Sequence, residues 1–254
     1  MTPFEIVAIL LAGVAAGTIN TVVGSGTLIT FPTLLAFGVP PVTANVSNTV
    51  GLVPGSLSGA VGYRAELAGQ RARLLRLGSA SLIGGTAGAV LLLWLPSAAF
   101  DAVVPALIGL GVLLVVIGPA TSRRVAARAE ASGGLPEHGA WWVWPAVAFA
   151  GVYGGYFGAA QGVLLVAILG IGVADSLQRH NATKNVLALI VNGVAAAVFI
   201  VVADVDWAVA GLIAAGSIVG GQLGATVGRR LPPTVLRGVT VVVGLTALAV
   251  FLTE

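Results

Sequence analysis

No cysteine occurs in the 254 residues, and lysine occurs once, as Lys184. The first absence removes disulfides, thiol catalysis and cysteine-ligated metals, and leaves the redox compartment undetermined. Charge is scarce altogether. Asp, Glu, Lys and Arg make up 8% of the chain, against about one quarter in a soluble domain. That excludes an ordinary soluble enzyme and a disordered chain. No basic run is interleaved with aromatics, which excludes a nucleic-acid interface. No Gly-x-x-x-x-Gly-Lys-Ser/Thr loop occurs, so ATP hydrolysis by that route is absent. What remains is 57% hydrophobic residues, 36 glycines and a mean hydropathy of +1.04. Such a chain has lipid as its solvent.

The few charges mark the breaks between spans. None lies between Glu5 and Arg64, nor within Leu77–Phe100, Ala102–Ser122, His138–Ala174, Asn185–Ala203, Trp207–Gly228 or Gly238–Thr253. A helix needs about 20 apolar residues to cross the hydrocarbon core. Proline and glycine divide the two longest runs. Ten segments result, roughly Phe4–Thr18, Leu28–Gly38, Val46–Tyr63, Leu77–Leu95, Ala102–Pro119, Trp141–Phe157, Gly162–Val173, Asn185–Ala203, Trp207–Gly228 and Thr234–Leu252. The second and seventh are too short to span, as expected of broken or re-entrant helices around a polar cavity. Glu5 and the lack of a basic leader argue against a signal peptide at the first segment.

All twelve basic residues fall in the connections after segments three, five, seven and nine. With ten segments those connections share one side. The positive-inside rule makes that side cytoplasmic and places both termini outside. Trp94, Trp141, Trp142, Trp144 and Trp207 lie near segment ends, where an interfacial belt belongs.

The halves also repeat. Gly17 and Gly24 match Gly151 and Gly158 at an offset of 134, as Gly38-Val39 matches Gly172-Val173. After a three-residue insertion, Asn48 matches Asn185. Five segments per half is an odd number, so the second copy enters the membrane from the opposite side. The expected fold is an all-α membrane protein of about ten transmembrane or re-entrant helical segments in two inverted five-segment repeats. Residues 1–122 form the first repeat, 123–138 a cytoplasmic linker and 139–254 the second.

Several motifs resemble the TauE/SafE (sulfite exporter) family. They are Ala16-Gly17-Thr18-Ile19-Asn20-Thr21-Val22-Val23-Gly24-Ser25-Gly26, then Pro32, Gly38-Val39-Pro40-Pro41 and Ala44-Asn45-Val46-Ser47-Asn48-Thr49. The second half carries Gly151, Gly154-Gly155, Gly158, Gly162, Gly170-Ile171-Gly172-Val173 and Asn181-Ala182-Thr183-Lys184-Asn185. The resemblance covers nearly the whole chain. It implies a multi-pass cell-membrane transporter for small anions, including sulfite and organosulfonates.

The residues themselves point to anion chemistry. Asn20, Thr21, Ser25 and Thr27 flank Gly24 and Gly26 between the first two segments, where backbone amides can approach a ligand and a following helix aims its positive end. Gln161 holds the matching place. Asn45, Ser47, Asn48 and Thr49 open the third segment, as capping groups or as donors to an anion. Asn185 and Asn192 lie on one helix and are expected to face the interior. Lys184 either neutralises an oxyanion or snorkels as a cytoplasmic anchor. Arg179 fits the anchor role, and His180 and His138 fit loops. The ladders Gly51/Gly55/Gly59 and Gly216/Gly220/Gly224/Gly228 permit close helix packing, within the chain or at a homodimer seam.

Apart from Glu5 at the very start of the first segment, no Asp or Glu lies within a span, which rules out a carboxylate proton relay. The expected activity is an anion uniporter, or a carrier whose driving ion binds backbone and hydroxyl oxygens, working by alternating access between the repeats. An anion channel and a non-transporting membrane scaffold stay open as alternatives. No cofactor or metal is expected, and no enzymatic motif occurs. The expected partners are a small anion and the lipid bilayer.

Overall fold

Long apolar runs in lipid must pair their own backbone groups, and a helix does this within one segment. The computed structural model describes residues 1–131, 139–227, 230 and 233–253, and ten α-helices follow one another there. They are α1 (Pro3–Val22), α2 (Thr27–Ala36), α3 (Pro41–Gly62), α4 (Arg71–Trp94), α5 (Ser97–Ala131), α6 (Val143–Tyr156), α7 (Gln161–Gly172), α8 (Leu177–Val202), α9 (Trp207–Thr226) and α10 (Pro233–Thr253). No strand occurs among the described residues. Glu5 has a local role. Its carboxylate accepts from the Thr2 amide while the Thr2 hydroxyl accepts from the Glu5 amide, closing a capping box on α1.

Helices α1, α4, α8 and α9, with the Ser97–Gly118 part of α5, are long and apolar enough to cross a membrane. Helices α2 and α7 are short apolar pieces, as expected. Helix α3 is long enough but less apolar, because Asn45, Ser47, Asn48, Thr49, Ser56 and Ser58 lie along it. All six are buried. The helix lies inside the bundle, packed mainly by α8 and α9.

Several helices extend past their expected limits, among them α1 to Val22, α4 from Arg71 and α5 from Ser97. Helix α3 starts at Pro41 rather than Val46, and α8 at Leu177 rather than Asn185. Helix α5 runs to Ala131, through residues 123–131 of the expected linker. Charges marked the expected limits, but helical hydrogen bonding continues through polar residues beyond the apolar run. His138 and Gly228 lie outside the described residues.

The halves interlock. Helix α4 packs on α6 and α8, whereas α9 packs on α1 and α3. Matching sequences line these seams: Ser81-Leu-Ile-Gly84-Gly85-Thr-Ala-Gly88 in α4 and Ser217-Ile-Val-Gly220-Gly221-Gln-Leu-Gly224 in α9. A Cβ on Gly84 or Gly88 would strike the carbonyls of Ala148 or Val152 on α6. One on Gly220 or Gly224 would strike those of Val14 or Thr18 on α1. Gly85 and Gly221 face the other way, against Val191 on α8 and Gly55 on α3. Small residues let these backbones touch. Gly51, Gly55 and Gly59 likewise meet Ile213, Ser217 and Thr21, so both expected ladders make contacts inside the chain. Buried rings of Phe31, Phe100 and Phe157 pack edge to face near the centre, with Phe31 and Phe157 5.0 Å apart.

Candidate functional site

Four residues, 23–26, join α1 to α2, and four, 157–160, join α6 to α7. Both turns close alike. The Val23 and Gly24 amides donate to the Ile19 carbonyl at 2.7 and 2.9 Å. Those of Phe157 and Gly158 donate to the Tyr153 carbonyl at 3.0 and 3.1 Å. Gly24 and Gly158 sit at φ +89° and +78°, left-handed values that glycine adopts without a Cβ penalty. The Tyr153 hydroxyl also donates to the Ala159 carbonyl, bracing the turn in which Ala160 is itself left-handed at φ +61°.

The two turns meet. The Gly162 amide donates to the Gly24 carbonyl at 3.0 Å, and a Cβ on Gly24 would overlap the Gly162 Cα. Gly24 therefore has its amide engaged by Ile19 and its carbonyl by Gly162. Gly26 packs against the Ala16 carbonyl. Helices α2 and α7 start at this junction with Gly26 and Ala160 as N-caps, and neither start receives a side-chain cap. The first amides of both helices, including those of Leu28, Ile29, Gln161, Gly162 and Val163, donate to nearby backbone carbonyls, and the positive ends of both helix dipoles lie at the junction.

The C-terminal ends of α1 and α6 are capped from the opposite half. Lys184 Nζ donates to the Asn20 and Thr21 carbonyls at 2.9 and 2.8 Å. Asn45 Nδ2 donates to the Tyr156 carbonyl at 2.9 Å. Lys184 is 0% exposed and lies two turns inside α8. It is not a snorkelling anchor. Its stem lies over Gly162, whose Cβ, were there one, would be 3.0 Å from the lysine Cδ.

The other expected residues divide into bonded and unbonded. Asn48 accepts from the Thr30 hydroxyl and donates to that of Thr27, tying α3 to α2. Thr49 back-bonds to the Asn45 carbonyl at 2.9 Å. Ser47 accepts from the Asp206 amide at 2.9 Å and holds the start of α9. Asn192 donates to Ser56 at 3.2 Å. Ser47, Thr49 and Asn192 thus each have a partner within the chain. By contrast, Ser25 Oγ, Gln161 Nε2, Asn185 Nδ2 and Asn45 Oδ1 are buried with no hydrogen-bond partner. The offset of 134 that matches Gly24 to Gly158 also matches Thr27 to Gln161, and Asn48 matches Asn185. Asn48 and Thr27 are bonded, whereas the amides at Asn185 and Gln161 are open. Thr21 is buried against Gly59, and Asn20 is partly exposed.

A second polar cluster was read from the sequence only as loop charges. Asp175 pairs with Arg73 at 2.6 Å and with Arg179 at 2.8 Å. Gln70 Oε1 accepts from both Arg73 and the Thr183 hydroxyl. Burial pushes the Asp175 carboxyl up, but hydrogen bonds from Arg73, Arg179 and the Ser176 amide together hold it below the usual carboxylate range. Arg179 is thus an ion-pair partner, and also donates to the Ala68 carbonyl at 3.1 Å. His180 belongs to α8, is buried, and hydrogen-bonds the backbone at Val173. It is not a loop residue. A loop could not supply the backbone partners that burial there requires. Among the described residues no group of three His, Asp or Glu side chains converges as a metal site.

A family model described as "Sulfite exporter TauE/SafE" matches residues 9–252. The chain belongs to the sulfite exporter TauE/SafE family. It is a multi-pass membrane protein of a membrane transporter family. It is similar to "Probable membrane transporter protein YfcA" of Escherichia coli strain K12 and to that of Escherichia coli O157:H7. Each is 24% identical over 233 residues, covering 89% of this chain and 81% of the relative. No solved structure matches the chain significantly.

Proposed function

We propose that the protein carries a small anion, a sulfur oxyanion such as sulfite or an organosulfonate, across the cell membrane by alternating access. The meeting of two broken helices at Gly24 and Gly162 carries this reading. Two helix starts without side-chain caps direct the positive ends of their dipoles there, as discontinuous transporter helices do to anionic substrates. Gln161 Nε2 and Asn185 Nδ2 are unbonded donors and Ser25 Oγ an unbonded hydroxyl, a set suited to a ligand that only accepts hydrogen bonds. Lys184 supplies a buried cation. Asn20, Thr21, Asn45, Asn48 and Thr49 frame the site, with Gly24 and Gly26 shaping its wall.

In this reading residues 1–122 and 139–254 are inverted repeats joined by the cytoplasmic segment 123–138. Support comes from the exchange of partners: α1 on α9 parallels α6 on α4, and α3 on α9 parallels α8 on α4. Both termini are extracytoplasmic. The α1–α2 hairpin reaches in from outside, α6–α7 from the cytoplasm, and their tips touch at the substrate. A homodimer, if formed, uses a face other than the glycine ladders.

Purified protein in proteoliposomes tests this. Uptake of sulfite or methanesulfonate is expected to saturate with concentration and to fall at least tenfold in Asn185→Leu and Gln161→Leu. Unchanged uptake in both variants would remove the site, and ohmic single-channel currents would make the protein a channel.

A further inference from the structure

An ammonium group has three hydrogens to donate, and Lys184 has two acceptors, the Asn20 and Thr21 carbonyls. No third acceptor bonds Nζ among the described residues, and neither of the Asp175 ion pairs reaches it. Of the other titratable groups around α8, Arg73 and Arg179 hold Asp175, and Arg76 donates to the Gly139 and Ala140 carbonyls. Tyr153 donates to Ala159, Tyr156 packs on Phe100, Tyr63 is buried against Ala182 of α8, and His180, one turn before Lys184, is buried with its Nε2 lacking a hydrogen-bond partner. Arg71 is exposed at the start of α4. Helices α3 and α7 contain no titratable side chain, and the single one of α1, Glu5, closes its N-terminal capping box.

A neutral amine has two N–H hydrogens, which match the two carbonyls, and a lone pair left over. An ammonium has one hydrogen more and carries an unpaired charge in a buried place, which is costly. An anion arriving at the starts of α2 and α7 supplies both the missing acceptor and the counter-charge. The two forms of Lys184 thus correspond to an empty and an occupied site.

We propose that Lys184 couples transport to protons: one proton and one oxyanion bind together at Nζ, cross together and leave together. This rests on the anion-carrier reading above. In binding, the amine lone pair takes a proton from the aqueous side, and the resulting ammonium donates its third hydrogen to the anion. In release, that proton returns to water with the anion. Nothing is oxidised or reduced. A monoanion then moves without net charge, driven by a pH difference and not by membrane potential. Lys184 does the work for which intramembrane carboxylates are absent.

Because Lys184 is the chain's one lysine, lysine labelled at Cε gives one assignable NMR signal in detergent-solubilised protein, and Lys184→Met abolishes it. The expected result is that adding methanesulfonate or sulfite raises the pH midpoint at which this signal changes from ammonium to amine. Proteoliposomes holding a pH dye supply the second arm. Methanesulfonate is a strong-acid anion that carries no proton itself, so its uptake is expected to acidify the lumen by one proton per anion. Uptake without acidification, or a Lys184 signal that ignores both anions while they are transported, overturns the coupling and leaves the carrier standing. Uptake of neither anion overturns the carrier reading and the coupling with it.

Discussion

Gly162 gives its amide hydrogen to the carbonyl of Gly24, across 138 positions of sequence, at 3.0 Å. Neither residue has room for a side chain: a Cβ on either would overlap the other's Cα. The centre of the protein is therefore a backbone-to-backbone contact between two turns, each at the end of a helix that stops inside the bundle.

Gly24→Ala is expected to destabilise the protein by about 2–4 kcal/mol. It combines a left-handed backbone penalty of about 1 kcal/mol with overpacking of about 1–3 kcal/mol. Gly38 is the control. It sits at φ +75° with nothing within 4 Å of a built Cβ, so Gly38→Ala bears the backbone term alone. Unfolding in detergent followed by circular dichroism measures the difference, and equal losses at the two sites would refute the contact.

Asn48 and Asn185 occupy matched positions with opposite bonding. Asn48→Leu breaks two side-chain hydrogen bonds and leaves Thr27 and Thr30 without their partner, at about 1–3 kcal/mol. Asn185→Leu removes an amide that is already unbonded, so stability is expected to hold or rise while anion uptake falls. Melting temperature and flux measured on the same preparations separate the two. A strongly destabilised Asn185→Leu would mean that its amide is structural.

The Asp175 carboxyl lies between two arginines and is held below its ordinary range in the folded state. The stability it contributes is present above the unfolded value, about 4, and is lost as pH falls through the lower folded value. Asp175→Asn removes this acid sensitivity and takes the carboxylate from the buried Arg73, whose bond to Gln70 remains, at about 1–3 kcal/mol. Stability measured from pH 7 down to pH 3 is expected to converge for the two proteins at the acid end.

With no native cysteine, the chain is its own background for labelling. Glu5→Cys and Asp204→Cys are expected to react with an impermeant maleimide from outside intact cells, and Ala65→Cys only after permeabilisation. Ala65 and Asp204, which follow the matched helices α3 and α8, labelling from the same side would break the inverted arrangement.

Much of this was legible in the residues. Ten segments and the short second and seventh follow from apolar run length and glycine punctuation, because lipid forces backbone groups to pair locally. The offset matching Gly24 to Gly158 reappears in the structure as two turns with the same hydrogen bonds. The Ser-x-x-Gly-Gly-x-x-Gly motifs at Ser81 and Ser217 were there to be read, and they line the strongest seams between the halves. Helix starts at Pro41 and Leu177 were not legible from charge, since no charge lies near the first and α8 runs through Gln178, Arg179 and His180 before its apolar stretch.

Sequence alone determined that this chain lives in lipid, as helices, with polar residues in two matched places, because composition and periodicity are local properties. Only the tertiary structure decided which of those residues are satisfied by one another. Lys184 finds its acceptors 164 and 163 positions away, Asn45 finds its own 111 away, and the amide of Asn185 finds none. Hydrogen-bond partners across such separations are set by how helices cross, and no local pattern encodes that.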